Sequence, residues 1–386
     1  MGTGAIVFIF RKFFGRLLVA APILWLLSCV GAPLPRVDTI DASRFRIVSP
    51  YSGIDWENYG RYKAALHVHT TRSDGRNTLA EMVEEHYAQG FHILAITDHD
   101  VTNNDWVSGT DALTQARYDE ITTGVGRGGR GMLRIPFTNE QSRGQHLNTF
   151  FTDFNNTRGA TLRSNVEKTE RLGGLSHLNH PGRYTGGRIP GWIGVWLSNV
   201  RRAVRNYANL FMEFPSLLGL EIVNRWDRDS INDRILWDNI LRETAPQGRL
   251  VWGFSNDDSH SVEGVGFSFN MFVMPANTLE DFRYAMIQGR FYAVARVARR
   301  ELGRNFVGSG PIPAIRNIIV DDDAVSITII AEHYTGIDWI YGGNVIAQGN
   351  TIRVADYQGD IGSYVRANII GPGGISFTQP FGIVRD

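Results

Sequence analysis

From about residue 60 to residue 300, short apolar runs alternate with longer stretches of helical periodicity. That is the pattern of a β/α domain with a mainly parallel sheet. Many of the apolar runs end in a small polar cluster. The texture changes after Gly308-Ser-Gly-Pro-Ile-Pro313, a linker signal. Beyond it Ile315–Val320, Ala324–Glu332, Asp338–Tyr341, Thr351–Val354 and Tyr364–Ile370 read as short strands separated by Asp, Gly and Pro turns, which predicts a small antiparallel β-sandwich. No internal repeat and no low-complexity run interrupts the chain.

The polar clusters hold most of the ten histidines. The first is Ala64-Ala-Leu-His67-Val-His69-Thr-Thr-Arg-Ser-Asp74-Gly75. On an extended segment residues two apart face one side, so His67 and His69 converge. The second is His92-Ile-Leu-Ala-Ile-Thr97-Asp98-His99-Asp100. The third is Ile135-Pro-Phe-Thr-Asn139-Glu140, with His146 six residues on. The fourth is Gly174-Leu-Ser-His177-Leu-Asn179-His180-Pro181, and the fifth is Leu250-Val-Trp-Gly-Phe-Ser-Asn-Asp257-Asp258-Ser-His260. A lone His at a strand end is usually a capping residue. Five clusters at the C-terminal ends of parallel strands would meet on one face, where β/α active sites lie. So many imidazoles and carboxylates packed together without metal would leave costly unsatisfied polar groups. The clusters therefore predict a metal site. His86 and His333 fall outside them, and His92, at the start of the second run and away from its polar end, needs no special role.

In this order, His-x-His, Ser-Asp-Gly, Thr-Asp-His, a Glu, Asn-His-Pro and Asp-x-His resemble the polymerase-and-histidinol-phosphatase (PHP) superfamily of metal-dependent hydrolases, over roughly residues 60–300. The C-terminal sheet and the N-terminal segment look most like its carbaryl-hydrolase-like branch. The resemblance implies a distorted (β/α)7 TIM-like barrel, here 51–307, followed by the sandwich at 308–386. It also implies three sets of ligands. A first metal would take His67, His69, Glu140 and Asp258. A second would share Glu140 and take His146 and His180. A third would take Asp74, His99 and His260. His177 competes with His180, and Asp257 with Asp258; the family motif and the two-residue spacing to His260 favour His180 and Asp258. Asp98 and Asp100 read as supporting or turn residues. Catalysis would fall to His67, His69, Asp74, Glu140, Asp258 and His260.

Composition narrows the chemistry. The 386 residues are 43% hydrophobic and 20% charged, an ordinary globular balance that excludes a mostly disordered chain. Net charge is zero, so nothing marks nucleic acid as a partner. The single cysteine excludes a disulfide framework and a Cys-based zinc site. Imidazole and carboxylate ligands suit Zn, Mn or Fe, and the resemblance implies two or three such divalent ions. Such ions favour phosphate mono- or diesters as substrates; carboxylic esters or carbamates, or a non-catalytic metal-retaining binding role, are the alternatives. Of the 39 basic residues only Lys12, Lys63 and Lys168 are lysines. Arg183, Arg225 and Arg228 are candidates to grip a phosphate, and Glu221, which ends another apolar run, is a supporting or substrate-binding candidate.

The N-terminus reads as an address. Arg11, Lys12 and Arg16 precede the run Leu17–Leu27, then Ser28 and Cys29. This is the layout of an export signal over 1–28, resembling a bacterial lipobox with Cys29 as the lipidated residue. Residues 29–50 would form a tether and the body would lie outside the cytoplasm on a membrane. One further segment combines aromatics with basic residues: Trp192 and Trp196, then Arg201, Arg202 and Arg205. It predicts a helix over the barrel, or a stretch suited to a lipid headgroup region. Gly124-x-Gly126-x-x-Gly129 precedes a strand and no helix follows, so it lacks the strand–turn–helix context of a dinucleotide site.

Overall fold

The computed structural model describes residues 45–357 and 359–385, all within one compact unit. The expected export signal, Cys29 and most of the expected tether lie outside the described residues. Among those described, no helix is long and apolar enough to cross a membrane.

The protein is a mixed α/β structure with several sheets. One carries Leu133–Arg134, Ile93–Leu94 and Gly60–Ala65 as parallel neighbours, then Ser268–Met274 and Phe291–Ala295 antiparallel. A second runs Asn139–Gln141, Leu147–Phe150, Leu175–Leu178, Leu217–Asn224, Trp252–Asn256. Parallel bridges Val68–Ser259 and His99–Glu140 link the two. The expected parallel pattern fails at Ser268–Met274 and Phe291–Ala295 and again inside the second sheet. Leu147–Phe150 is antiparallel to both neighbours. The few residues between Gln141 and Leu147 permit a hairpin but no helical crossover, which needs about a dozen.

Helices cover the sheets where sequence makes them. Leu79–Ala88 starts at a capping box, Thr78 with Glu81, and buries Leu79, Met82, Val83, His86 and Tyr87 along one stripe. Gly124 ends the helix Gln115–Thr123 in the left-handed conformation, so the glycine fingerprint is a helix cap and turn.

The five C-terminal strands expected from sequence are present, as Ala314–Asp321, Ser326–Glu332, Gly336–Tyr341, Thr351–Arg353 and Tyr364–Gly371. Asn344–Gln348, Gly374–Phe377 and Phe381–Arg385 join them. The linker at 308–313 does not break the sheet. Gly374–Phe377 pairs with Phe291–Ala295, continuing the sheet of the first half. Leu79, Met82 and Val83 share one core with Ile327, Trp339 and Val365. Each such buried side chain contributes about 1.5–3 kcal/mol, which favours fusion over separation. The tether also ends early: Phe45–Val48 alternates buried and exposed residues and pairs antiparallel with Phe381–Arg385.

Candidate metal centre

The residues following several strands bring the polar clusters together. His67 and His69 follow Gly60–Ala65, and the His69 N–H donates to the Ser259 carbonyl at 2.9 Å. Asp98 fixes the turn that follows: it accepts from the Thr70 N–H at 2.7 Å, the Thr70 hydroxyl at 2.8 Å, the Ser73 hydroxyl at 2.8 Å and Asn103 Nδ2 at 3.2 Å. This holds Asp74 at the mouth. Gly75 is required there, since a Cβ would lie 2.7 Å from the backbone of His69 and Thr70. His180 (φ 31°) and Asp258 (φ 48°) adopt the left-handed region that non-glycine residues avoid, strain of a kind that collects at functional sites.

Five imidazoles surround the buried Glu140 carboxylate. His99 Nδ1 lies 2.7 Å from it, His146 Nδ1 2.9 Å, His67 Nε2 3.2 Å, and His69 Nε2 and His180 Nε2 3.4 Å. Asp258 Oδ1 stands 3.3 Å from His67 Nε2 and 3.1 Å from His69 Nε2. At the mouth His260 Nε2 is 3.3 Å and His99 Nε2 3.6 Å from Asp74. The His260 Nδ1–H donates to the Asp258 carbonyl at 2.8 Å, which turns Nε2 toward Asp74.

All nine ligands expected from sequence therefore meet. Their donor atoms fall into four overlapping groups, each within 4.8 Å: His67, His180 and Asp258; His67, His69 and Glu140; His99, Glu140 and His146; and His69, Asp74, His99 and His260. The grouping differs in detail from the expected one, because His180 gathers with His67 and Asp258 while His146 gathers with His99. The donor set fits divalent metal ions. His67 Nε2, His69 Nε2 and Glu140 Oε2 are buried without a hydrogen-bond partner. Two ligand atoms about 2.1 Å from one ion stand roughly 3.0–3.4 Å apart, the range in which His67, His69 and His180 stand from Glu140.

The electrostatics agree. Burial alone would pull His67 down, yet Asp258, Glu140 and Glu221 push it well above its ordinary value. Burial alone would raise the Glu140 carboxyl, but His67, His146 and His180 hold it well below the usual carboxylate range. The centre of the cage favours positive charge.

Glu221 is fully buried, and the structure corrects its reading as a substrate-binding candidate. Its oxygens accept from His67 Nδ1 at 2.7 Å, Asn224 Nδ2 at 2.8 Å, Asn256 Nδ2 at 2.8 Å and the His180 N–H at 2.9 Å. It orients the His67 ring and has no free face for substrate. Arg183 is engaged by Asp229 at 2.9 Å. His177 lies outside the cage, stacked on Phe254 and pushed down to about 4 by burial. Asp257 accepts the N–H groups of Gly266, Phe267 and Ser268 and shapes a turn. Asp100 likewise holds Ser142 and Asn156.

Some residues went unassigned in the sequence. Asn179 Nδ2 donates to Glu140 Oε1 at 2.6 Å, and the Tyr184 hydroxyl accepts from the His146 N–H at 3.1 Å. Asn179 lies inside the fourth cluster, where its position beside His180 was the available signal. A cleft of about 590 Å³ opens beside the cage, lined by Asp74, Asp258 and His260 and by Arg76, Arg225, Arg228 and Arg299.

No family model matches the chain, and no curated protein does. Among solved structures it is similar to a two-domain protein from Bacteroides vulgatus containing a predicted PHP-like metal-dependent phosphoesterase, at 14% identity over 86% of this chain and 88% of that one, TM-score 0.44. An amidohydrolase from Chromobacterium violaceum with bound sulfate and no metal matches at 16% identity over 59% and 96%, TM-score 0.35. A lesion-specific endonuclease from Pyrococcus furiosus matches at 16% identity over 59% and 56%, TM-score 0.35. Likenesses this remote fix neither activity nor substrate.

Proposed function

We propose that the protein is a metal-dependent hydrolase of phosphate mono- or diesters, of the PHP type. One observation carries the reading: five imidazoles converge on the buried Glu140 carboxylate. The ring of strand segments from His67 round to Asp258, closed by the Val68–Ser259 bridge, supports a distorted seven-stranded barrel.

His67, His69, Asp74, His99, Glu140, His146, His180, Asp258 and His260 would hold two or three Zn, Mn or Fe ions. Bound divalent ions would lower the pKa of a water and neutralise charge on a phosphoryl group. The chain's own residues prepare that site. Glu221 fixes the His67 tautomer through Nδ1, and Asn179 holds the Glu140 carboxylate. Asp74 and His260 stand at the mouth, part-exposed, where an ester would enter. Arg225 and Arg228 supply positive charge beside it. They favour an anionic ester over a neutral one.

The proposal extends to location. Cys29 would carry a lipid anchor, placing the enzyme on a membrane outside the cytoplasm. Trp192 (77% exposed) and Trp196 (61%) project from the helix Trp192–Ser198, with Arg201, Arg202 and Arg205 exposed nearby. No acidic residue occurs from Arg171 to Met212. An anionic bilayer fits that face. Anionic vesicles should blue-shift the tryptophan emission of the full chain, and Trp192→Phe with Trp196→Phe should abolish the shift. An unshifted wild type would end this part of the proposal.

The main test is metal content by mass spectrometry with assays on p-nitrophenyl phosphate, bis-p-nitrophenyl phosphate and p-nitrophenyl acetate. His67→Ala and Asp258→Ala are the controls. Two or three ions per chain with phosphoester cleavage lost in both variants support the proposal. Cleavage of the acetate alone would assign a carboxylic-ester hydrolase instead.

A further inference from the structure

The cleft beside the cage is built around a backbone that L residues avoid. Arg225, Trp226 and Asp227 have φ of 48°, 59° and 52°, three consecutive left-handed non-glycine residues. They follow directly on the strand Leu217–Asn224. A dedicated network holds them there. The buried Asp227 carboxylate accepts from Arg234 NH1 at 2.6 Å and NH2 at 2.8 Å, from the Ser230 hydroxyl at 2.9 Å and from the Arg299 N–H at 2.6 Å. Arg234 is itself buried and reaches Glu301 at 2.8 Å. Trp226 lies against Phe267 with ring centroids 4.1 Å apart, and Arg299 Nε donates to the Trp226 carbonyl at 3.1 Å. Strain over-determined in this way marks a loop whose conformation is used.

What the loop presents is positive charge. Among the described residues, the guanidinium groups of Arg225 and Arg228 make no hydrogen bond or ion pair, although Arg225 is half-buried. Arg76, from the turn after Asp74, and Arg299 line the same cleft. Most of the carboxylates beside them are committed. Asp74 and Asp258 face the imidazoles of the cage, and Asp257 is occupied by three backbone N–H groups. Glu263 is the one further acid on the lining. The cleft's volume of about 590 Å³ suits a small molecule larger than phosphate itself.

We infer that this cleft is a second anion subsite. The substrate then carries, beside the phosphoryl group at the cage, a second phosphate a short linker away, gripped by Arg225 and Arg228 with Arg76 and Arg299. The assignment rests on the phosphoesterase reading for the reacting end of that molecule.

The test uses two ligands that cannot be hydrolysed at carbon–phosphorus bonds. Propane-1,3-bisphosphonate and propylphosphonate are titrated calorimetrically into the metal-loaded full chain. The bisphosphonate should bind at least ten-fold more tightly. Arg225→Asn with Arg228→Ala should reduce that ratio to near one with metal content unchanged; Asn is chosen because it tolerates the left-handed region. Arg228→Glu alone, on an exposed side chain, should also collapse the ratio and guards against misfolding of the double variant. Equal affinity in the wild type, or a preference that survives both variants, overturns the subsite. Turnover of p-nitrophenyl phosphate by the same preparation separates the two claims. Preference without turnover keeps the subsite and removes the phosphoesterase; turnover without preference does the reverse.

Discussion

His67 Nδ1 donates to Glu221 Oε1 across 2.7 Å, between residues 154 positions apart in the chain. The bond leaves Nε2 facing Glu140 and Asp258, the side on which a metal would bind. Partners of this kind fix the tautomer and raise the basicity of a ligand. Glu221→Gln should weaken metal binding by about 10–100-fold. Titration with a competing chelator measures it; unaltered affinity would remove Glu221 from the ligand-orienting role.

Gly75 packs against the backbone that carries His69. In Gly75→Ala the new methyl would meet the His69 carbonyl and Thr70 nitrogen at 2.7 Å. Backbone cannot yield as a flexible side chain does, so the His69–Asp74 turn must shift. Metal content per chain should drop while far-ultraviolet circular dichroism stays native. Full metal occupancy in the variant would contradict this account.

His86 sets an acid limit on stability. Burial pushes its imidazole down to about 4, against a smaller upward effect of the Met82 carbonyl. In the unfolded chain it titrates near 6.5. Between those values the unfolded state binds a proton that the folded state refuses. Stability is therefore full above about pH 6.5 and falls as pH drops toward 4, by about 3 kcal/mol from this residue. Urea midpoints from pH 7.5 to 4.5 should fall less steeply in His86→Gln than in wild type.

Asp238 ties the C-terminal sheet to the helix Asp233–Thr244. Its carboxylate accepts from Arg366 Nε at 2.9 Å and NH2 at 2.7 Å and from the Tyr364 hydroxyl at 2.8 Å, all buried. Asp238→Ala leaves the Arg366 charge buried and unpaired, which costs about 3–5 kcal/mol. Equilibrium denaturation should show that loss in a single shared transition. A separate early transition of residues 308–385 would instead mark an independent domain.

Much of the centre was legible because its signals are local. A His-x-His pair on extended chain turns both rings to one side, the two-residue spacing to His260 favoured Asp258 over Asp257, and the Asn-His-Pro motif favoured His180 over His177. The strands after residue 313 were legible for the same reason, since alternation and turn residues act over a few positions. Other features depend on contacts between distant segments, which no local period encodes. Glu221 closes an apolar run like any strand end; only its distance to His67 makes it a ligand's partner. The joining of Gly374–Phe377 to Phe291–Ala295 follows from which edges lie free to pair. The arginine cleft draws on residues 76, 225, 228 and 299. Residue type and spacing determined which groups could bind a metal; tertiary packing decided which atoms face one another, because desolvation and hydrogen bonding act through space and not along the chain.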